Sequence, residues 1–293
     1  MPRADEGLAF LLRYENVAWY EDGKVRILDR RCYPHPIKFV TCNTSEEVAN
    51  AMRDMIVQSA GPYLACGMGM VLAAYEAKDM PYDKAMEHIR YAQDLMVNAR
   101  PTTAKRIKII TDSCVAAAEE AYAAGEKDAI QATFDRIIAL TDNRYNKIGE
   151  VAKHLVSKFP DEGTVMTQCY AETILGFMCK EIKAQGKKIK FVCPETRPYF
   201  QGARLTASVL HDMGFDGKSC INPRQIDIVH EIFTPVKKDI IFAEKVIREI
   251  DTKKAQGIGV FTVDGKMIDI AFYDGAKRTI MMAKAAGVYE GDL

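Results

Sequence analysis

The sequence predicts an α/β protein: a mainly helical N-terminal domain with a β-hairpin, then a parallel-sheet α/β region, then a C-terminal extension of different grain. Three observations predict it. Between Gly163 and Phe215 an apolar run, a helical pattern, a second apolar run and a second helical pattern follow one another. That strand–helix–strand–helix order is the repeating unit of a parallel sheet. Ahead of it, roughly residues 45–160 carry the three-to-four-residue apolar spacing of amphipathic helices. Near the N-terminus two short strand candidates flank the turn-forming string EDGK.

Taken in order, Asn16–Tyr20 and Lys24–Leu28 form the hairpin, and CYPHPIKF reads as a Pro-rich connection. Thr44 or Ser45 ahead of Glu46 and Glu47 is an N-cap signature, predicting a helix over Ser45–Ile56. Gly61–Gly69 is rich in small residues and leads into a helical Met70–Ala77; its GMGM string follows no strand and is no nucleotide fingerprint. Asp79–Ala99 predicts an amphipathic helix begun by Pro81, with Ala85, Ile89, Ala92 and Met96 on one face. Arg100-Pro101 opens an Ala-rich helix to Gly125, and Glu126–Leu140 is one more.

The α/β unit follows. Val165–Thr167 is a short strand leading to Cys169. Ile174, Leu175, Phe177, Met178 and Ile182 mark a helix, Ile189–Cys193 a buried-type strand, and Leu205–Met213 the next helix. In such sheets ligands gather where strands end at their carboxyl side, which is where TQCYAE and ETRPYFQGAR lie. In the tail, Ser219–Ile221 reads as a strand, Asn222-Pro223 as a helix start, and Ile226–Phe233 and Val236–Lys254 as helices. Ile258–Ile268 reads as a hairpin turning at Asp264-Gly265, and 274–287 as a last helix. The implied domains are 1–160, 161–216 and 217–293.

At 293 residues and 48% hydrophobic the chain can bury a full core. Its 40 basic and 40 acidic side chains balance, so nothing global draws it to nucleic acid or an anionic membrane. No apolar run approaches the ~18 residues of a membrane span, and MPRADEGLAFLLRY lacks the pattern of an export signal. Eight cysteines without a C-x-x-C pair read as reduced thiols. These features predict a cytoplasmic protein. The five histidines show no metal spacing, and Asp264 before Gly265 is explained by turn chemistry, so no metal and no cofactor are expected.

Two stretches resemble known families. ILDRRCYP, ARPTTA, KIGEVA, TQCYAE and, most specifically, ETRPYFQGARLTA resemble methylthioribose-1-phosphate isomerase, ribose-1,5-bisphosphate isomerase and the regulatory subunits of the initiation-factor exchange complex. This likeness covers residues ~20–215. GFDGKSCINPRQIDIVHEIFTP and GVFTVDGKMID resemble the C-terminal end of the citrate lyase beta subunit, over residues ~214–293. The two meet at Gly214-Phe215-Asp216, as if the front of one enzyme were spliced to the back of another. The implied fold is an incomplete Rossmann-like α/β domain with a lyase-barrel-like extension, in which tail strands Ser219–Ile221 and Ile258–Thr262 are available to complete the sheet.

The first resemblance implies aldose–ketose isomerisation of a sugar phosphate in a homodimer, with Cys169 as an acid–base thiol. It implies substrate contacts from Arg100, Gln201, Gly202 and Arg204; Arg197 and Arg204, which flank the QGA string, read either as steering anions or as pairing with Glu195. Two readings of Cys169 stand side by side: a tuned catalytic thiol, or an inert strand-end cysteine. Arg100 likewise reads as a ligand contact or as an exposed charge at a helix start. The chain also departs from the family pattern. The family's Gly-Ala-Asp segment, which carries its second catalytic group, does not occur in these residues. Gln58-Ser59-Ala60-Gly61-Pro62 stands where the family has Arg-Gly-Ala-Pro. Gln168, Tyr170 and Glu172 stand where it has histidine, asparagine and glycine. The expected outcomes are therefore an isomerase weakened by a missing group, a non-catalytic binding subunit of the same fold, or, through the tail, a lyase-type subunit.

Overall fold

A computed structural model describes residues 3–215, 231, 234–256, 260–269 and 272–293. The architecture is mixed α/β, rich in helix, with small sheets. The chain divides into two compact units, Met1–Ser219 and Cys220–Leu293.

The first unit begins with a short helix α1 (Tyr14–Val17) and an antiparallel sheet in the order β1 (Ala18–Glu21), β2 (Lys24–Leu28), β3 (Phe39–Cys42). Glu21 pairs with Lys24, so the hairpin turns on Asp22-Gly23, both at positive φ, which matches the twist of the flanking strands. The third strand lies at the end of the string expected to be only a connection; Leu28 pairs with Phe39 across it.

Helix α2 (Ser45–Arg53) starts as its sequence dictates: the Thr44 hydroxyl accepts from the Glu47 amide at 3.2 Å, and Glu47 reaches back to the Asn43 amide at 2.6 Å. Helix α3 (Gly61–Glu76) is continuous through the small-residue stretch and almost wholly buried. It is the central helix of this unit, and its glycines are where its neighbours enter. A Cβ on Gly67 would lie 2.1 Å from Ile137, and one on Gly69 2.3 Å from Met96.

Helix α4 (Tyr82–Ala99) buries Ala85, Ile89, Ala92 and Met96, the face its periodicity marked. Helix α5 (Ala104–Ala123) follows a single 3₁₀ turn, and α6 (Ile130–Val156) runs sixteen residues past Leu140. Its extension is held because Thr141, Tyr145, Ala152 and Val156 keep one face buried.

Strands β4 (Glu162–Met166) and β5 (Lys188–Val192) pair in parallel, with α7 (Thr173–Ala184) between them. Among the described residues this sheet has two strands. It is less buried than expected: Lys188, Lys190 and Val192 are exposed along β5, and Met166 is 71% exposed. A π-helical turn, Gly202–Thr206, then runs into α8 (Ala207–Asp212).

In the second unit α9 (Lys237–Ala255) packs on α10 (Phe272–Ala285), and β6 (Val260–Val263) pairs antiparallel with β7 (Lys266–Asp269). Ile240, Val246, Ile250, Val263, Ile268 and Ile280 form its own apolar core. The described part of the tail strand expected over Ile258–Thr262 pairs within its own hairpin, with β7. Ser219–Ile221, Asn222-Pro223 and most of Ile226–Phe233 lie outside the described residues. Asp264 turns the hairpin at positive φ and pairs with Lys245 at 2.9 Å. No described helix is long and apolar enough to cross a membrane.

Candidate functional site

Three loops converge beside the start of α3. One is Val57–Ala60. The second leaves β4 and runs through Cys169 to Glu172 at the head of α7. The third leaves β5 at Cys193 and reaches the π turn at Gly202. Their backbones are strained together: Ser59, Cys169, Glu172, Thr196 and Phe200 all hold positive φ, five of the eight described non-glycine residues that do. Such conformations persist only where the surroundings over-determine them, and they cluster at functional sites.

At the centre is Arg30, fully buried at the end of the β2 strand's following turn. Its Nη1 donates to the Gln58 carbonyl at 2.6 Å, and its Nη2 donates to Glu172 Oε1 at 2.9 Å. Glu172 accepts a second hydrogen bond through Oε2 from the Ala60 amide. Burial pulls the Arg30 guanidinium down, but the adjacent Glu172 charge and Tyr170 outweigh it, so the group is held above its ordinary value and stays a cation. Tyr170 lies with its ring centroid 5.7 Å from the Arg30 guanidinium carbon. Burial pushes its phenol well up, against the pull of Arg30.

The residues singled out by sequence arrive around this pair. Cys169 is half-buried, and its carbonyl accepts from the Thr206 hydroxyl at 2.5 Å. Thr206 closes the turn that begins at Gly202, so the cysteine loop and the glutamine loop are tied together. Gly202 is required there: a Cβ would sit 1.8 Å from the Pro194 carbonyl oxygen. Gln201 precedes it with its side-chain oxygen buried and without a hydrogen-bond partner among the described residues. Arg204 donates to the carbonyls of Arg30 (3.2 Å), Tyr33 (2.6 Å) and Tyr199 (2.8 Å), so its guanidinium braces the loop. Arg100 is half-buried at the end of α4 and donates to the Val57 carbonyl at 3.4 Å. Burial lowers its guanidinium from the ordinary value, and among the described residues no carboxylate pairs with it. Arg197 pairs with Glu195 at 2.9 Å.

A cavity of about 600 Å³ abuts the cluster through Ala60 and Glu172, between α3, α5 and α6. Arg106, Arg144 and Lys147 line it, and the two arginines lie 5.9 and 5.8 Å from the Tyr63 ring. Cys169, Gln201 and Arg204 are not in its wall. Among the described residues no group of three or more His, Cys, Asp or Glu is placed to hold a metal.

Sequence reasoning missed Arg30 and Thr206. The usable signal for Arg30 was the run of three charges, Asp29-Arg30-Arg31, directly after an apolar strand, and for its partner the isolated acid Glu172 among apolar residues; a charge in such a setting calls for a buried counter-charge. For Thr206 there was no comparable signal.

The model of the initiation factor 2 subunit family matches residues 63–276. A putative methylthioribose-1-phosphate isomerase of Archaeoglobus fulgidus is 28% identical over 271 residues, covering 89% of this chain and 77% of that protein. Methylthioribose-1-phosphate isomerase 1 of Pseudothermotoga lettingae is 33% identical over 204 residues, covering 65% of this chain and 56% of that protein. Citrate lyase subunit beta of Haemophilus influenzae is 41% identical over 85 residues, 29% of each chain. Among solved structures, translation initiation factor eIF-2B subunit delta from A. fulgidus matches at a TM-score of 0.57 and 26% identity, over 74% of this chain and 65% of that one. The 5-methylthioribose 1-phosphate isomerase of Pyrococcus horikoshii matches in fold at a TM-score of 0.57 and 21% identity, over 93% and 73%. The chain thus spans little more than half the length of the second isomerase.

Proposed function

The chain belongs to the initiation factor 2 subunit family, and from that premise we propose that it is a sugar-phosphate isomerase by ancestry, working where the three loops meet. The observation that carries the reading is the tie from the Thr206 hydroxyl to the Cys169 carbonyl. It ties the backbone of Cys169, a half-buried cysteine just past a strand end, to the turn that begins at Gly202. On a furanose 1-phosphate the change removes the C2 hydrogen and the O2 proton as the C2 carbonyl forms, adds a hydrogen at C1, and breaks the ring C1–O4 bond with a proton going to O4, while the phosphate stays on O1. A thiol near C1 and C2 can act as the acid or base in one of these proton transfers. Gln201, the Gly202 turn and Arg100, which has no carboxylate partner among the described residues, supply polar contacts for a hydroxylated anion, and Arg204 fixes the loop that presents them.

The reaction calls for a second group, and the family's Gly-Ala-Asp segment has no counterpart in these residues. The proposed enzyme is accordingly slow, since removing one of two groups that act together abolishes most of the rate. That absence also favours a second reading: a binding member of the fold that takes a sugar phosphate or nucleotide without turning it over. We further propose that the C-terminal unit derives from a citrate lyase beta-type sequence. Its separate apolar core and the 85-residue likeness support this. A homodimer completes the proposal, to be read by sedimentation.

An isomerase assay with methylthioribose 1-phosphate and ribose 1,5-bisphosphate tests the first reading; turnover of either supports it, and none with both refutes it. The second reading then stands or falls on thermal stabilisation by the same ligands.

A further inference from the structure

The start of α3 already holds an anion. Helix starts present unpaired amides and a positive dipole end, and with a guanidinium they make the usual protein seat for phosphate. Here the seat consists of the Ala60 amide at the cap of α3 and the Arg30 guanidinium; the Gly61 amide is already bonded to the Gln58 carbonyl, and Pro62 has no N–H to offer. The occupant is the Glu172 carboxylate, with one oxygen on Arg30 at 2.9 Å and the other on Ala60. The seat has more donors than a carboxylate uses: Arg30 Nε and the Tyr170 hydroxyl, on side chains no more than 5% exposed, are buried with no hydrogen-bond partner among the described residues.

The backbone gives a second, independent argument. Glu172 sits at φ 50 and ψ −118. That region is open to glycine and costly for any residue with a side chain. The chain therefore tolerates local strain and a buried ion pair in order to keep a carboxylate at this point. A pair serving only to fill space would need neither.

We infer that Glu172 is a built-in stand-in for a ligand's phosphate, filling the seat formed by Arg30, the Ala60 amide and the start of α3 and barring a phosphate monoester from it. This deepens the sugar-phosphate reading by naming the residue that decides where the phosphate cannot go. The binding it describes needs no turnover, so failure of the isomerase assay leaves it standing.

The experiment measures inorganic phosphate binding by calorimetry for the full chain, Glu172→Gly, and Arg30→Met/Glu172→Gly, at constant ionic strength. Glycine suits the backbone and empties the seat. The expected result is phosphate affinity at least about tenfold tighter in Glu172→Gly than in the unaltered chain, with the gain lost in the double variant. Equal affinity in folded Glu172→Gly, or the same gain without Arg30, overturns the inference. Should Glu172→Gly fold poorly in chloride, its melting temperature in phosphate decides. A rise larger than that of the unaltered chain, which covers the general salting effect, supports the inference. A rise no larger overturns it.

Discussion

The Glu172 carboxylate lies 2.9 Å from the Arg30 guanidinium, and neither side chain is more than 3% exposed. Each also binds main chain on the Val57–Ala60 loop, Arg30 at the Gln58 carbonyl and Glu172 at the Ala60 amide. The pair therefore joins the strand-end turn after β2, the approach to α3 and the head of α7. A buried pair adds little over a well-packed apolar one, but breaking it strands a charge.

Arg30→Met alone is expected to cost about 3–5 kcal/mol, while Arg30→Met with Glu172→Leu recovers most of that loss. Urea unfolding of the three proteins measures it. Equal destabilisation by the single and double variants would show that packing, and not the stranded carboxylate, sets the cost.

Two glycine substitutions should move in opposite directions. At Gly202 a Cβ meets the Pro194 carbonyl oxygen at 1.8 Å, a main-chain clash that no rotamer relieves. Gly202→Ala is expected to cost more than about 3 kcal/mol or to displace the loop. At Gly149, inside α6, a Cβ meets only the Phe177 ring, at 3.4 Å. Gly149→Ala is expected to stabilise by about 0.5–1 kcal/mol through helix propensity. The same unfolding series reports both.

Acid should weaken the turn that carries Arg30. Hydrogen bonds from Arg31 hold the Asp29 carboxyl below its ordinary value, against the opposing effect of burial. A depressed folded-state value means stability that is present above the unfolded value of about 4 and lost as pH falls through the folded one. Between pH 5 and pH 3 the unaltered chain should lose more melting temperature than Asp29→Asn, by about 2 °C. Parallel curves would remove Asp29 from the acid response.

Thiol labelling should sort the cysteines. Burial pushes Cys42 up to about 11 and Cys114 and Cys179 up to about 12, and it raises Cys66 well above the thiol range. Cys32 and Cys169 are half-buried. Native protein treated with iodoacetamide at pH 8 should be modified at Cys32 and Cys169 at least about tenfold faster than at these four. Peptide mass spectrometry reads each site, and equal rates would mean that Cys169 is not open to a small ligand.

Much of this was legible beforehand because local rules decided it. Thr44 with Glu47 started α2, Asp22-Gly23 turned the hairpin, and the Ala85–Ile89–Ala92–Met96 spacing set the buried face of α4. β3 was hidden because the preceding prolines masked its four residues, and its pairing partner is eleven residues back in the chain. The length of α6 was missed because Asn143, Asn146 and Lys147 interrupt the apolar stripe, while Tyr145 and Ala152 still reach the core. At the site, strand-end position identified Cys169 and the Gln201 loop. Arg30 escaped because its partners, Gln58 and Glu172, are distant in sequence, and no periodicity encodes a contact across 142 residues.

The most direct test of the central claim is turnover of methylthioribose 1-phosphate by the unaltered chain and by Cys169→Ser, which keeps the shape and removes the thiol. The account predicts slow isomerisation that falls at least about a hundredfold in the serine variant, the usual scale for losing an acid–base group, with the melting temperature unchanged. Isomerisation at the same rate in both proteins would contradict it.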